Sequence, residues 1–227
     1  ARAWQRGGHG VVLLTVKEVE RALSDLDVLV CVNPNNPTGA LLPAAMLRRW
    51  HQQLATRGGW LVVDEAFLDA SMGESLAADA HLTGLVVLRS LGKFFGLAGL
   101  RAGLMVADPA LCHALQQALG PWAMSHPARY VMAQAIQDQA WQQQQCQRLR
   151  EDRKRLDGLL GDAGLFPRGD SHLFAWCPGD QSQVYFEALA KQGVLVRYFA
   201  EPKALRFGLA GSELQWDRLR STLSALA

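Results

Sequence analysis

The run Arg89-Ser90-Leu91-Gly92-Lys93-Phe94-Phe95-Gly96-Leu97-Ala98-Gly99-Leu100-Arg101 puts an amine, a hydroxyl and a guanidinium into one Gly-rich turn behind an apolar strand. A lysine so placed can form a Schiff base with an aldehyde cofactor, while Ser90 and Arg101 grip a phosphate, the arginine bidentately. Gly92 and Gly96 favour a tight turn over a solvated helix. Each group alone has a plainer reading: a surface lysine, a turn serine, a surface arginine. Their spacing is what points to chemistry. Asp64 closes the apolar stretch Leu61-Val62-Val63. A carboxylate there needs a partner, either a protonated ring nitrogen or the backbone amides of a helix beginning at Glu65. Glu65 itself reads as structural. Asn33-Pro34-Asn35-Asn36-Pro37-Thr38-Gly39 is, on its own, a turn signal.

The elements that must position these groups alternate in type. Val11 to Leu14, Val28 to Val32, Trp60 to Val63, Gly84 to Leu88 and Gly103 to Val106 read as strands. Lys17 to Leu23, Ala44 to Arg57 and Pro109 to Leu119 read as helices, with Pro43 in the first turn of the second and Gly58-Gly59 ending it. Such alternation predicts an α/β fold, a mixed and mostly parallel sheet flanked by helices. Asn36, Asp64 and Ser90 then fall just beyond strand ends, where open α/β sheets bind ligands. Gly120-Pro121 breaks the pattern. A long polar helix is expected from Ala128 to Leu160, whose charged block Arg148 to Arg155 is a solvated face. Beyond it come His172 to Trp176, a helix near Val184 to Lys191, strands at Val194 to Tyr198 and Leu205 to Leu209, and a last helix from Ser212. The expected division is a large cofactor-binding domain over 1–126, and a connecting long helix with a small C-terminal α+β domain over 127–227.

Composition excludes several classes. A chain of 227 residues, 49% hydrophobic and 19% charged, with net charge +2, gives no case for nucleic acid or a membrane surface. Cys31, Cys112, Cys146 and Cys177 are scattered, without zinc-ligand or Cys-x-x-Cys spacing, so no metal site is expected and a reducing cytoplasm is. No Gly-x-Gly-x-x-Gly follows the first two strands, which argues against a nicotinamide-binding Rossmann enzyme. Ala1-Arg2-Ala3-Trp4 reads like the interior of a helix, so the chain is expected to be part of a longer protein.

Together, Asn33-Pro34-Asn35-Asn36-Pro37-Thr38-Gly39, Asp64-Glu65-Ala66-Phe67 and the Ser90–Arg101 run resemble the fold-type I superfamily of pyridoxal 5′-phosphate (PLP) enzymes, that of aspartate aminotransferase. The resemblance implies that Lys93 holds the PLP aldehyde, Asp64 faces the pyridine nitrogen, Asn36 donates to the phenolic oxygen, and Ser90 and Arg101 bind the phosphate. It also implies that Arg206, in Leu205-Arg206-Phe207-Gly208, grips a substrate carboxylate, and that Arg197 reaches the same cleft for a second anion. One departure stands out: Phe67 occupies a place where many aminotransferases carry Tyr, and it cannot donate a hydrogen bond.

Within the superfamily, Arg89 to Phe95, Pro121-Trp122-Ala123-Met124-Ser125 and Trp216 look most like the threonine-phosphate decarboxylases of cobalamin biosynthesis, with histidinol-phosphate aminotransferases next. That likeness implies decarboxylation of L-threonine O-3-phosphate to (R)-1-amino-2-propanol O-2-phosphate, in a homodimer when full length. The alternatives are a histidinol-phosphate-type aminotransferase and a truncated, non-catalytic lobe of such an enzyme.

Overall fold

A computed structural model describes residues 2–71 and 73–225. In chain order the elements are α1 (Arg2–Arg6), α2 (Val16–Ala22), β1 (Val28–Val32), α3 (Ala44–Ala55), β2 (Trp60–Asp64), β3 (Leu85–Ser90), β4 (Gly103–Ala107), α4 (Pro109–Leu119), α5 (His126–Gln137), α6 (Gln139–Asp162), β5 (Phe174–Pro178), α7 (Ser182–Lys191), β6 (Arg197–Ala200), β7 (Lys203–Gly208) and α8 (Glu213–Ser224). Short 3-10 turns at Leu23–Asp25, Leu68–Ala70, Leu76–Asp79 and Ala98–Leu100 join some of them.

The first sheet has the order β1-β2-β3-β4, parallel across β1, β2 and β3 and antiparallel at β4. Successive strand residues point to opposite faces. Leu29 and Cys31, Leu61 and Val63, and Leu85 and Val87 therefore share one face, which buries against Leu47, Trp50 and Leu54 of α3. Those helix residues recur at helical spacing, which is why this stretch folds as a helix and packs where it does. On the opposite face Val30 is 49% exposed, and among the described residues β1 is the outermost strand of the sheet on that side.

The second sheet, β5-β7-β6, is wholly antiparallel. Leu156 and Leu160 of α6, Leu189 of α7, and Trp216, Leu219 and Leu223 of α8 bury against Ala175, Cys177, Leu205 and Phe207. Glu213 accepts from both Nη atoms of Arg155, at 2.6 and 2.7 Å, and the same guanidinium lies over the Trp216 ring.

Four local expectations need correction. Val11 to Leu14 is extended coil; no strand pairs with it among the described residues, and Leu13 is exposed. Pro43 is the N-cap of α3 and not a first-turn residue. The long helix breaks at Asp138, which leaves helical geometry and whose carboxylate accepts from the Trp141 amide at 3.0 Å, so it ends α5 and caps α6. The charged block is not wholly a solvated face. Arg153 is buried and donates to the carbonyls of Ser171, Phe174 (2.9 Å) and Gly169 (3.3 Å), while pairing with Asp157 at 2.8 Å.

A second tie joins the Asn36 turn to the segment before β5. The Asp170 amide donates to the Gly39 carbonyl at 2.8 Å. Gly169 sits there at φ +85, and a Cβ on it would fall 2.2 Å from the Thr38 carbonyl oxygen, so only glycine allows the approach.

Candidate active site

The parallel register lines up the site. Val32 pairs with Asp64, and Asp64 pairs with Leu88, so the carboxyl ends of β1, β2 and β3 lie side by side. The Asn36 turn leaves the end of β1, Asp64 ends β2, and Ser90 ends β3 with Lys93 in the turn beyond. Arg101 precedes β4, whose Gly103 pairs with Ser90, so serine and arginine flank the same end of the β3–β4 pair. These are strand ends at which an open α/β sheet binds ligands. Two open clefts lie elsewhere. One of about 400 Å³, at Leu23, Gln52 and Arg57, lies by the amino ends of β1 and β2. Another of about 350 Å³ opens between Leu41, Arg150, Lys154, Asp170 and His172.

Each candidate side chain has a definable setting. Asp64 Oδ1 accepts from the Ala66 amide at 3.0 Å, and no cation pairs with the carboxylate among the described residues. Ser90 Oγ accepts from the Gly92 amide at 3.2 Å, folding the turn back on the strand. The turn is closed by Gly96 N to Lys93 O and Leu97 N to Leu91 O, both 3.0 Å. Lys93 is exposed, and its Nζ lies 5.3 Å from the centroid of the Phe67 ring. Arg101 adopts the left-handed conformation, φ 52 and ψ 38, uncommon for a residue with a side chain.

From Lys93 a chain of contacts crosses to the second sheet. Phe67 meets Phe174 edge to face at 5.5 Å, Phe174 lies under the Arg206 guanidinium at 5.1 Å, and Arg206 Nη1 donates to Asn36 Oδ1. Arg197 pairs with Arg206 in the β6–β7 register and stacks on Phe199. Burial, with Arg197 beside it, pushes the Arg206 guanidinium below its ordinary value. A guanidinium short of water and next to a like charge favours an anion. The structure thus brings together Lys93, Asn36 and Arg206 through side-chain contacts, and Asp64, Ser90 and Arg101 through strand register. Arg197 is at the rim and touches none of the others by hydrogen bond.

Beneath the site lies a network around Glu65, read from the sequence as structural, whose partners Arg89 and Asp69 sequence reasoning passed over. Glu65 is fully buried and accepts from Ser75 Oγ, from the Leu76 amide at 2.8 Å and from Arg89 Nη1 at 3.0 Å. Arg89 also pairs with Asp69, whose carboxyl is pushed up by burial while Arg89 pulls it down. Glu65 follows Asp64 and Arg89 precedes Ser90, so the ion pair ties adjacent strand ends together. The available signal was an arginine at the end of a strand opposite a carboxylate.

Residues 12–223 match the family model for aminotransferase class I and II, and the chain belongs to that family. It is 45% identical over 223 residues to a threonine-phosphate decarboxylase of Pseudomonas aeruginosa, covering 98% of this chain and 67% of that protein. A histidinol-phosphate aminotransferase of Syntrophotalea carbinolica is 33% identical over 198 residues, covering 86% of this chain and 56% of that one. Among solved structures, histidinol-phosphate aminotransferase from Sinorhizobium meliloti in complex with pyridoxal-5′-phosphate superposes with a TM-score of 0.80 at 22% identity, covering 93% of this chain and 61% of that chain. The fold is that of a fold-type I enzyme, and the chain spans about two thirds or less of the length of these relatives. Among the described residues no helix is long and apolar enough to cross a membrane.

Proposed function

We propose that the protein is a PLP-dependent decarboxylase acting on L-threonine O-3-phosphate, in the formation of (R)-1-amino-2-propanol O-2-phosphate for cobalamin. The observation that carries the site is the assembly of Asn36, Asp64, Ser90 and Lys93 on neighbouring strand ends, with Arg206 reaching Asn36 from the second sheet. The choice of reaction rests on the 45% identity to a protein named for it.

The residues fit the cofactor chemically. Lys93 is the amine for its aldehyde, the unpaired Asp64 carboxylate suits a protonated ring nitrogen, and Ser90 with Arg101 suits a phosphate. When bound, PLP supplies an electron sink for cleavage next to the substrate nitrogen. The chain supplies the rest. Asn36 can donate from Nδ2 to the phenolic oxygen while its Oδ1 still accepts from Arg206. Arg206 orients the substrate carboxylate, and Arg197 offers a second cation for the substrate phosphate. Lys93 would hold the aldehyde until the substrate amine takes its place, and the freed lysine amine would then deliver a proton to the substrate Cα. Phe67 presents an apolar ring beneath that amine.

The four free cysteines support a reducing cytoplasm. Exposed Leu119, Trp122 and Tyr130, on and between α4 and α5, support association into a homodimer in the longer protein. A second reading, amino transfer to imidazole-acetol phosphate, is favoured by the aminotransferase relatives. CO2 release from threonine phosphate, measured beside amino transfer from glutamate, separates the two. Borohydride reduction with PLP should place the cofactor mass on the peptide holding Lys93, and Lys93→Ala should abolish both labelling and turnover. Labelling without either turnover would leave only the non-catalytic lobe.

A further inference from the structure

Lys93 is followed by a side chain that goes the other way. Phe94 is 3% exposed and sits in a small cluster with Ala70 and Leu149, flanked by Phe95, Cys146, Leu173 and Leu209. Trp141, in the first turn of α6, meets Phe94 edge to face at 5.5 Å and stacks on Phe95 at 5.9 Å with planes 16° apart. Phe94 and Phe95 meet each other at 5.0 Å. Three rings therefore close on one another directly beside the amine-bearing residue. Trp141 is held in turn by Asp138, whose carboxylate caps its amide.

We propose that Phe94, seated on Trp141, is a positioning residue for Lys93: an aromatic anchor that fixes the Cα from which the amine is extended toward the Phe67 ring. This rests on the reading of Lys93 as the cofactor-holding amine. A lysine side chain has four rotatable bonds, and its turn contains Gly92 and Gly96. Only a fixed origin lets so flexible an arm hold a reactive geometry, and a misplacement of about 1 Å costs roughly a hundredfold in rate. On one side Leu91 is buried and bonded to Leu97; on the other, Phe94 is the buried pin. Trp141 acts through Phe94 and touches no reacting atom. The helix break at Asp138 acquires a purpose, since it sets where the ring of Trp141 stands.

Trp141 is 37% exposed, so Trp141→Ala leaves a fold that can be assayed. Two cofactor forms separate positioning from general damage. PLP can be trapped by borohydride on Lys93, whereas pyridoxamine 5′-phosphate has no aldehyde and reports the rest of the pocket. Trp141→Ala should slow trapping about tenfold or more and lower kcat without a matching rise in KM, while pyridoxamine 5′-phosphate affinity stays within about twofold. Trp141→Phe should restore trapping. A cofactor-free arm uses reductive 13C-methylation. The wild-type Lys93 methyl signal, assigned with Lys93→Arg, should show an upfield ring shift from Phe67 that Trp141→Ala removes and Trp141→Phe keeps. Unchanged trapping and an unchanged methyl signal in Trp141→Ala would overturn the anchor, as would equal losses for both cofactor forms. If wild-type protein is never trapped by PLP, the functional reading fails, and the methyl signal alone still decides the anchor.

Discussion

Arg206, on the second sheet, donates to the side-chain oxygen of Asn36 in the loop after β1, a residue 170 positions earlier in the chain. The guanidinium also rests on Phe174, which meets Phe67 edge to face. The arginine proposed for the substrate and the asparagine proposed for the cofactor are thus in direct contact. Arg206→Lys keeps one charge but loses the planar fork and the stacking on Phe174. It should reduce kcat/KM for threonine phosphate about thirtyfold, near 2 kcal/mol, mostly through KM. PLP affinity should change little. Steady-state CO2 release at varied substrate, with a separate PLP titration, checks both.

The Glu65–Arg89–Asp69 cluster makes a stability prediction. Glu65 is fully buried and Arg89 mostly so. Removing the arginine strands a carboxylate that has no other cation among the described residues. Arg89→Ala should cost about 3 kcal/mol in urea unfolding. Arg89→Ala with Glu65→Gln should recover part of that, because the fully buried charge is gone and only Asp69 is left without its arginine, while the amide can still meet Ser75 and the Leu76 amide. A double variant no more stable than the single one contradicts the account.

The candidate site was legible because its groups are tied to strand ends, and strand ends announce themselves. An apolar run stopping at Asp64, or a Gly-rich turn after Leu88, is a local pattern. The parallel order of the first sheet followed from strand–helix alternation for the same reason. What escaped is what depends on partners distant in sequence. Val11 to Leu14 has the composition of a strand, but pairing decides strands, and no described strand pairs with it. Arg153 lay inside a run that looked solvated, since nothing local reveals that Ser171 and Phe174 turn their carbonyls toward it. Trp141 and Phe94 are separated by the whole of β4, α4 and α5, and the break at Asp138 that sets Trp141 in place hides in a polar helical stretch.

Arg101 carries a backbone conformation that favours glycine. Holding a side chain there costs about 1 kcal/mol. Arg101→Gly should therefore leave thermal stability unchanged or slightly raised, while PLP affinity falls about tenfold or more from loss of the phosphate grip. Equilibrium PLP titration beside a melting curve reads both effects in one preparation. A drop in stability with cofactor affinity intact would show that the arginine is kept for the turn and not for the phosphate.

His172 should make the fold sensitive to mild acid. It stands just before β5, near the backbone of Ala70, and lines the cleft with Arg150, Arg153, Lys154, Asp157 and Asp170. Burial first, and then the charges of Arg150 and Arg153, push the imidazole below its ordinary 6.5, while the Ala70 backbone and then Asp157 oppose the shift less strongly. Between the lowered folded value and 6.5, the unfolded chain binds more protons than the folded one. Stability therefore rises with pH across that window. The contribution is fully present above 6.5 and is lost as pH falls through the folded value. His172→Asn cannot titrate, so its unfolding free energy should have a shallower slope than wild type below pH 6.5 and run parallel to it above pH 7. Urea unfolding from pH 5 to 8 tests this, and equal slopes in the acid range would remove His172 as the source. High salt should flatten the wild-type slope in part, because the arginine contribution is screened while the burial contribution is not.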